Sequence, residues 1–209
     1  MAMPASDSPA SGSPASDSPT SDSASPDARI AQLSTFAALG ALSCTQDTTH
    51  AVLNAIGSIE GTEPDLVAEE TLCLIATVTA RAVAVGLRAQ PDRAKALQAA
   101  LLQVPFQYRD YLIGRTMIEQ EDRELAATGE AVRERLAKKQ RFYEAHFPED
   151  QFPGPRALGD KLELWMGRVS PPGLPTTPQE RLQELPIQAP IVAHAKLVLA
   201  YARQGDIPG

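Results

Sequence analysis

Cysteine is scarce in this chain: Cys44 and Cys73 are the only two in 209 residues. Two thiols cannot supply the disulfide framework of a small secreted domain. No second Cys or His stands at a ligand spacing from either, so neither a redox pair nor a metal pair is indicated. Each lies among apolar neighbours, in Ala-Leu-Ser-Cys and Leu-Cys-Leu-Ile, and is expected to be a small buried hydrophobe. A basic start followed by an apolar run is also missing, which excludes a secretory signal at this N-terminus. The most apolar stretch, Thr71 to Leu87, is short for a membrane span and contains Arg81, so a buried helix is expected there. The expected location is cytoplasmic.

The patterns that announce a reaction are absent as well. There is no Gly-rich loop after a strand, no His-Glu-x-x-His, no Cys-x-x-Cys, no EF-hand loop and no Gly-x-Ser-x-Gly elbow. Three residues before His50, His146 and His194 stand Asp47, Tyr143 and Ile191, so the Glu-x-x-His pair of a carboxylate-bridged di-iron bundle does not occur. No metal is indicated, no cofactor is named, and nothing decides whether the chain is an enzyme. Basic residues are outnumbered, 19 against 26 acidic ones, for a formal charge of -7. That balance argues against a nucleic-acid backbone as partner.

Apolar side chains make up 43% of the sequence, enough for one well-filled core and too few for two. Residues 4–23 repeat a five-residue unit, PASDS, PASGS, PASDS, PTSDS, with Pro4, Pro9, Pro14 and Pro19 at its period. No large apolar side chain offsets the entropy of ordering this segment, so 1–25 is expected to be a disordered arm rich in Ser, Pro, Ala and Asp. It would serve as a spacer, or as a docking arm offering a protein partner several weak copies of one motif.

After residue 26 the periodicity is helical throughout, and the expected fold class is all-α. A bundle is expected over 26–146, followed by a Pro-rich helical extension, 147–209, packed on it. Ser25-Pro26-Asp27 opens a first helix, which Gly40 and the Ser43-Cys44-Thr45 cluster should end; a second starts near Asp47 and stops before Gly61. Thr62-Glu63-Pro64-Asp65 caps a third, apolar nearly all round, which wants neighbours on every side and is expected at the centre. Pro91-Asp92 opens a fourth, and Pro105 should interrupt the chain at Val104. From Phe106 to His146 the pattern runs without a hard stop. Continuous, it would span about 60 Å and invite a second copy; otherwise it breaks near Gly129. In the extension, Leu158, Leu162 and Trp165 form a short helix ended by Gly167. Thr177-Pro178-Gln179-Glu180 starts another, and Pro190 opens the last, with Gly205 as its cap.

Two places carry candidate binding residues. Tyr111, Arg115 and Glu119 stand four apart on one helix face with Tyr108 and Asp122 at its margins, a set able to clamp an anionic or polar molecule. Arg81, inside the most apolar helix, needs several acceptors wherever it is enclosed, with Glu119 or Asp110 as expected partners. The threonines beside it can return their hydroxyls to the backbone. The run from Arg133 to Arg141 has five positive charges and one negative and reads as a solvated face, with Glu134 set to pair with Lys138. The leading expectation is a non-catalytic interaction, scaffold or cargo-like protein that forms a homo-oligomer without entering a membrane. The alternative is a helical small-molecule-binding protein or enzyme built on Arg81, Tyr108, Tyr111, Arg115 and Glu119.

Overall fold

The computed structural model describes residues 25–56, 64–117, 123–148, 151, 155–169 and 187–204. Among these there is helix and no strand. The repeat arm and the short helix expected from Thr177 lie outside the described residues. Seven helices are described: α1 (Pro26–Ile56), α2 (Pro64–Gly86), α3 (Pro91–Leu102), α4 (Val104–Met117), α5 (Arg123–His146), α6 (Pro155–Val169) and α7 (Gln188–Gln204).

α2 is the axis. From Glu70 to Val83 every side chain is buried, and the helix packs against all six others. An apolar run with no polar stripe has no face to give to water, so it is stable only when surrounded. Leu72, Leu74, Ile75, Val78 and Val83 are each at most 1% exposed, worth roughly 1.5–3 kcal/mol apiece in burial. Two core clusters share this helix. One joins it to α5 and α6 through Tyr143, Phe147, Leu158 and Trp165; the other joins it to α1, α3 and α7 through Leu33, Leu97, Leu101 and Val198.

Three boundaries differ from expectation. α1 is one helix of 31 residues where two were expected. Ser25 caps it, its Oγ accepting from the Ala28 N–H. Gly40 does not end it, because that glycine is where α7 approaches: a Cβ there would sit 2.8 Å from the His194 ring. Thr45 and Thr48 are buried in the continuing helix rather than forming a turn. α4 ends at Met117 and α5 begins at Arg123, and Gly129 is inside α5, its carbonyl accepting from Arg109 at 2.8 Å. α4 and α5 pack on one another, so the 106–146 stretch folds back and the 60 Å rod does not form. Gly167 is likewise passed over, α6 continuing to Val169. The expected interruption at Val104–Pro105 is present: Gln103 alone separates α3 from α4 and caps α3 with its N–H.

Pairings between helices fix their directions. Gly40 meets His194 and Phe36 stacks edge-on against Tyr201 at 4.8 Å, so α1 and α7 are antiparallel. Contacts from Glu69 to Arg135 and from Arg81 to Phe147 make α2 and α5 parallel.

Candidate functional site

Polar residues recur along the facing sides of the parallel pair. On α2, positions 69, 70, 77 and 81 meet positions 135, 139, 140, 143 and 147 on and just beyond α5. Positions 135, 139, 143 and 147 repeat at four residues, and the α2 positions are spaced by seven and four, spacings that keep side chains on one helical face.

The charged end of this ladder is at Glu69 and Glu70. Glu70 is 1% exposed and accepts from Tyr143 Oη at 2.7 Å and from Arg168 Nε and Nη2, each at 2.7 Å. Lys139 Nζ stands 3.6 Å from its other oxygen and donates to Glu69 at 2.6 Å. Arg135 grips Glu69 through Nε and Nη2 at 3.0 and 2.7 Å. Arg168 also lies over the Phe142 ring, 4.3 Å from its centroid. Burial pulls the Glu69 carboxyl upward, but the hydrogen bonds and charges of Arg135 and Lys139 outweigh it and hold the group below its ordinary value. Burial and the neighbouring Glu70 push the Tyr143 hydroxyl far up, so it stays a donor. The Cys73 thiol is pushed up by burial and by Glu70, and Cys44 chiefly by burial.

Farther along, Gln140 donates to Thr77 Oγ1 at 2.8 Å, and Thr77 returns its own proton to the Cys73 carbonyl. Arg81, 3% exposed, closes the ladder. Its Nε donates to the Phe147 carbonyl at 2.8 Å and its Nη2 to Glu144 at 3.4 Å. A cation here satisfies carbonyls left open at the end of α5 and faces the negative end of that helix. Arg81 therefore acts as a cap supplied by a neighbouring helix.

Beside the charged end lie two adjoining clefts. The narrower, about 210 Å³, has Asp65, Ala68, Glu69 and Leu72 of α2 on one side, Pro105, Tyr108 and Arg109 of α4 on another, and Val132, Arg135 and Leu136 of α5 on the third. The wider, about 460 Å³, runs between α1 (Leu42, Thr45, Gln46, Asp47, Thr49, His50) and Tyr108, over Ala68. Ala68 and Tyr108 border both. Arg109 donates through Nη1 to Gly129, pairs with Asp110, and has a buried Nε with no partner among the described residues. The buried hydroxyls of Thr45 and Thr49 also lack a partner among the described residues.

No protein-family model, curated protein or solved structure matches this chain. Its function therefore has to be read from its own geometry.

Of the expected site residues only Arg81 and Tyr108 have described side chains, and those two lie apart. Tyr108 is half-buried at the junction of the clefts, whereas Arg81 sits thirteen residues along α2 from Ala68, about 20 Å away. Tyr111 and Arg115 belong to α4, but their side chains lie outside those described, and Glu119 and Asp122 lie outside the described residues altogether. Arg81 bonds to carbonyls of α5 and its exit, while Asp110 pairs with Arg109. Within the basic run, Arg135 and Lys139 turn to Glu69, and Lys138 pairs with Glu134 at 3.0 Å. Three of its five cations thus have carboxylate partners among the described residues. Among the described residues, no three His, Cys, Asp or Glu side chains are placed to hold a metal ion, and no helix is long and apolar enough to cross a membrane.

Glu69, Glu70, Lys139, Tyr143 and Arg168 were not singled out as a unit by sequence. Their contacts join positions 69 to 98 residues apart. The local signals were the tandem carboxylates before an apolar helix and the row Arg135, Lys139, Tyr143.

Proposed function

We propose that this chain is a non-catalytic helical binding protein whose recognition site is the pair of clefts meeting at Tyr108. One observation carries the reading. The groups there with the strongest chemistry, Glu69, Arg135 and the adjacent Glu70, Lys139 and Tyr143, are bound to one another as framework. The half-buried Tyr108 ring and the apolar walls form the opening. The Glu69 carboxylate, held below its ordinary pKa by Arg135 and Lys139, is stabilised in one ionisation state, the opposite of a group poised to exchange a proton.

A small molecule fits this site better than a broad protein surface. Large apolar side chains standing in solvent among the described residues are only Leu39 and Leu197, at 64% and 45% exposure. Macromolecular docking faces usually present a contiguous apolar patch, whereas small-ligand sites recess theirs. The test is a fragment screen by saturation-transfer NMR on wild type and Ala68→Phe, a substitution that fills the shared border. Hits in wild type that vanish in a variant of unchanged melting temperature support the reading; identical hit lists sink it.

Self-association remains a second reading. Leu39 and Leu197 sit at one level of the antiparallel α1/α7 pair, from which a two-fold contact would start. Sedimentation of wild type and Leu39→Glu decides it: a dimer lost in the variant supports it, and a monomer at all concentrations ends it. The two buried free thiols suit the cytoplasmic setting expected from the sequence, where such groups stay reduced.

A further inference from the structure

The wider cleft carries two polar groups that the fold leaves unused. Thr45 and Thr49 stand one turn apart on α1, their Cβ atoms about 5–6 Å from each other, and both line that cleft. Thr45 is 4% exposed. Hydroxyls inside a helix can return to the carbonyl four residues back, as Ser34 and Thr35 of the same helix do at 2.7 and 3.0 Å. The Thr45 and Thr49 hydroxyls make no such bond, and each is buried without a partner among the described residues. A buried donor without an acceptor is a standing cost, which an acceptor brought in from outside removes. Charge is nearly absent from this lining: Asp47 and His50 are exposed, and among the described residues no Lys or Arg borders it. One carboxylate without a cation repels an anion, and as an exposed group it gives a cation only a partner screened by water.

We infer, resting on the binding reading above, that the wider cleft takes a small uncharged carbonyl compound. Its oxygen accepts from the Thr45 and Thr49 hydroxyls, and its apolar body lies against Leu42, Ala68 and the Tyr108 ring. Two donors one turn apart can converge on the two lone pairs of one carbonyl oxygen. At about 460 Å³ the cleft is within the roughly 300–1,000 Å³ of small-molecule sites.

The experiment is a titration of ¹⁵N-labelled full-length protein with benzamide, benzoate and benzamidinium, which share a shape and differ in charge, followed by amide shifts. Benzamide should saturate and move amides near Leu42, Thr49 and Tyr108, with the two ions each about 10-fold weaker or more. Replacing both threonines, Thr45→Val with Thr49→Val, keeps their shape and removes the hydroxyls. This double variant should bind benzamide about 10-fold more weakly. Its melting temperature without ligand should equal or exceed that of wild type, because no partner is lost. A lower melting temperature would show the hydroxyls already in use, and undiminished benzamide binding would show them idle. Either result overturns the assignment and leaves the binding reading intact. Benzoate or benzamidinium binding as tightly as benzamide would overturn the uncharged ligand. Shifts with none of the three overturn the inference, whereas the binding reading falls only if the fragment screen on wild type and Ala68→Phe fails as well.

Discussion

Removing the Glu70 carboxylate is the sharpest perturbation of the α2–α5–α6 seam. In Glu70→Ala the Tyr143 hydroxyl, on a side chain 1% exposed, loses its acceptor, at a cost of about 1–3 kcal/mol. Arg168 loses both bonds but is 32% exposed and can rehydrate, so its contribution is discounted to about 1 kcal/mol. Lys139 keeps Glu69 at 2.6 Å. The expected total is about 3 kcal/mol, at the low end for a broken buried pair. Tyr143→Phe leaves Glu70 with Arg168 and Lys139 and should cost only about 1 kcal/mol. Arg168→Met should fall between, and the double variant with Glu70→Ala should cost about 1–2 kcal/mol less than the sum of the singles. Urea unfolding followed by circular dichroism and by Trp165 fluorescence measures all four. A Glu70→Ala cost under 1 kcal/mol, or Tyr143→Phe costing as much as Glu70→Ala, refutes the assigned geometry.

Other predictions are independent of that network. Burial lowers the His194 pKa to about 4, so the folded state resists a proton that the unfolded chain accepts near 6.5. Stability is therefore full above 6.5 and falls as pH drops toward 4, by at most about 3 kcal/mol, and His194→Gln should flatten that limb; an unchanged slope in the variant would contradict it. Glu69, whose pKa is lowered, contributes stability above its unfolded value of 4.5 that is lost only at lower pH, so the two limbs separate. Gly86→Ala should destabilise by about 2 kcal/mol, although alanine is the better helix former by roughly 1 kcal/mol, because its Cβ would overlap Leu199. Thermal melts should show partial rescue by Leu199→Ala, and a stabilised Gly86→Ala would refute the close approach. Both thiols should ignore a disulfide reagent in native buffer and react in urea; fast native labelling of Cys73 would contradict its burial.

The all-helical class and the central place of α2 were legible because an unbroken apolar run constrains its whole surroundings. The gap at Gln103 was legible because proline acts on the residue before it. Gly40, Gly129 and Gly167 misled for one reason. Each reads locally as a stop, yet Gly40 admits the His194 ring, Gly129 lends its carbonyl to Arg109, and Gly167 stands exposed on a helix held by Trp165 and Val169. Tertiary contacts outweighed a propensity penalty of about 1 kcal/mol. Arg81 was rightly marked as needing acceptors, but a helix end as its partner has no local sequence signature. Thr77 returns its hydroxyl to the backbone as expected, whereas Thr71 and Thr79 are buried without a partner among the described residues. Tyr108, singled out in the sequence, borders both clefts; the neighbours it meets there, Ala68 and Val132, are too ordinary to attract notice in a sequence.

The central claim is that the cleft beside Tyr108 is a binding site, and native mass spectrometry tests it most directly. Wild type and Ala68→Phe would be sprayed with and without the strongest fragment hits found on wild type. The account predicts a one-to-one adduct on wild type alone, with both proteins folded. The same adduct on both proteins, or none on either, would contradict it.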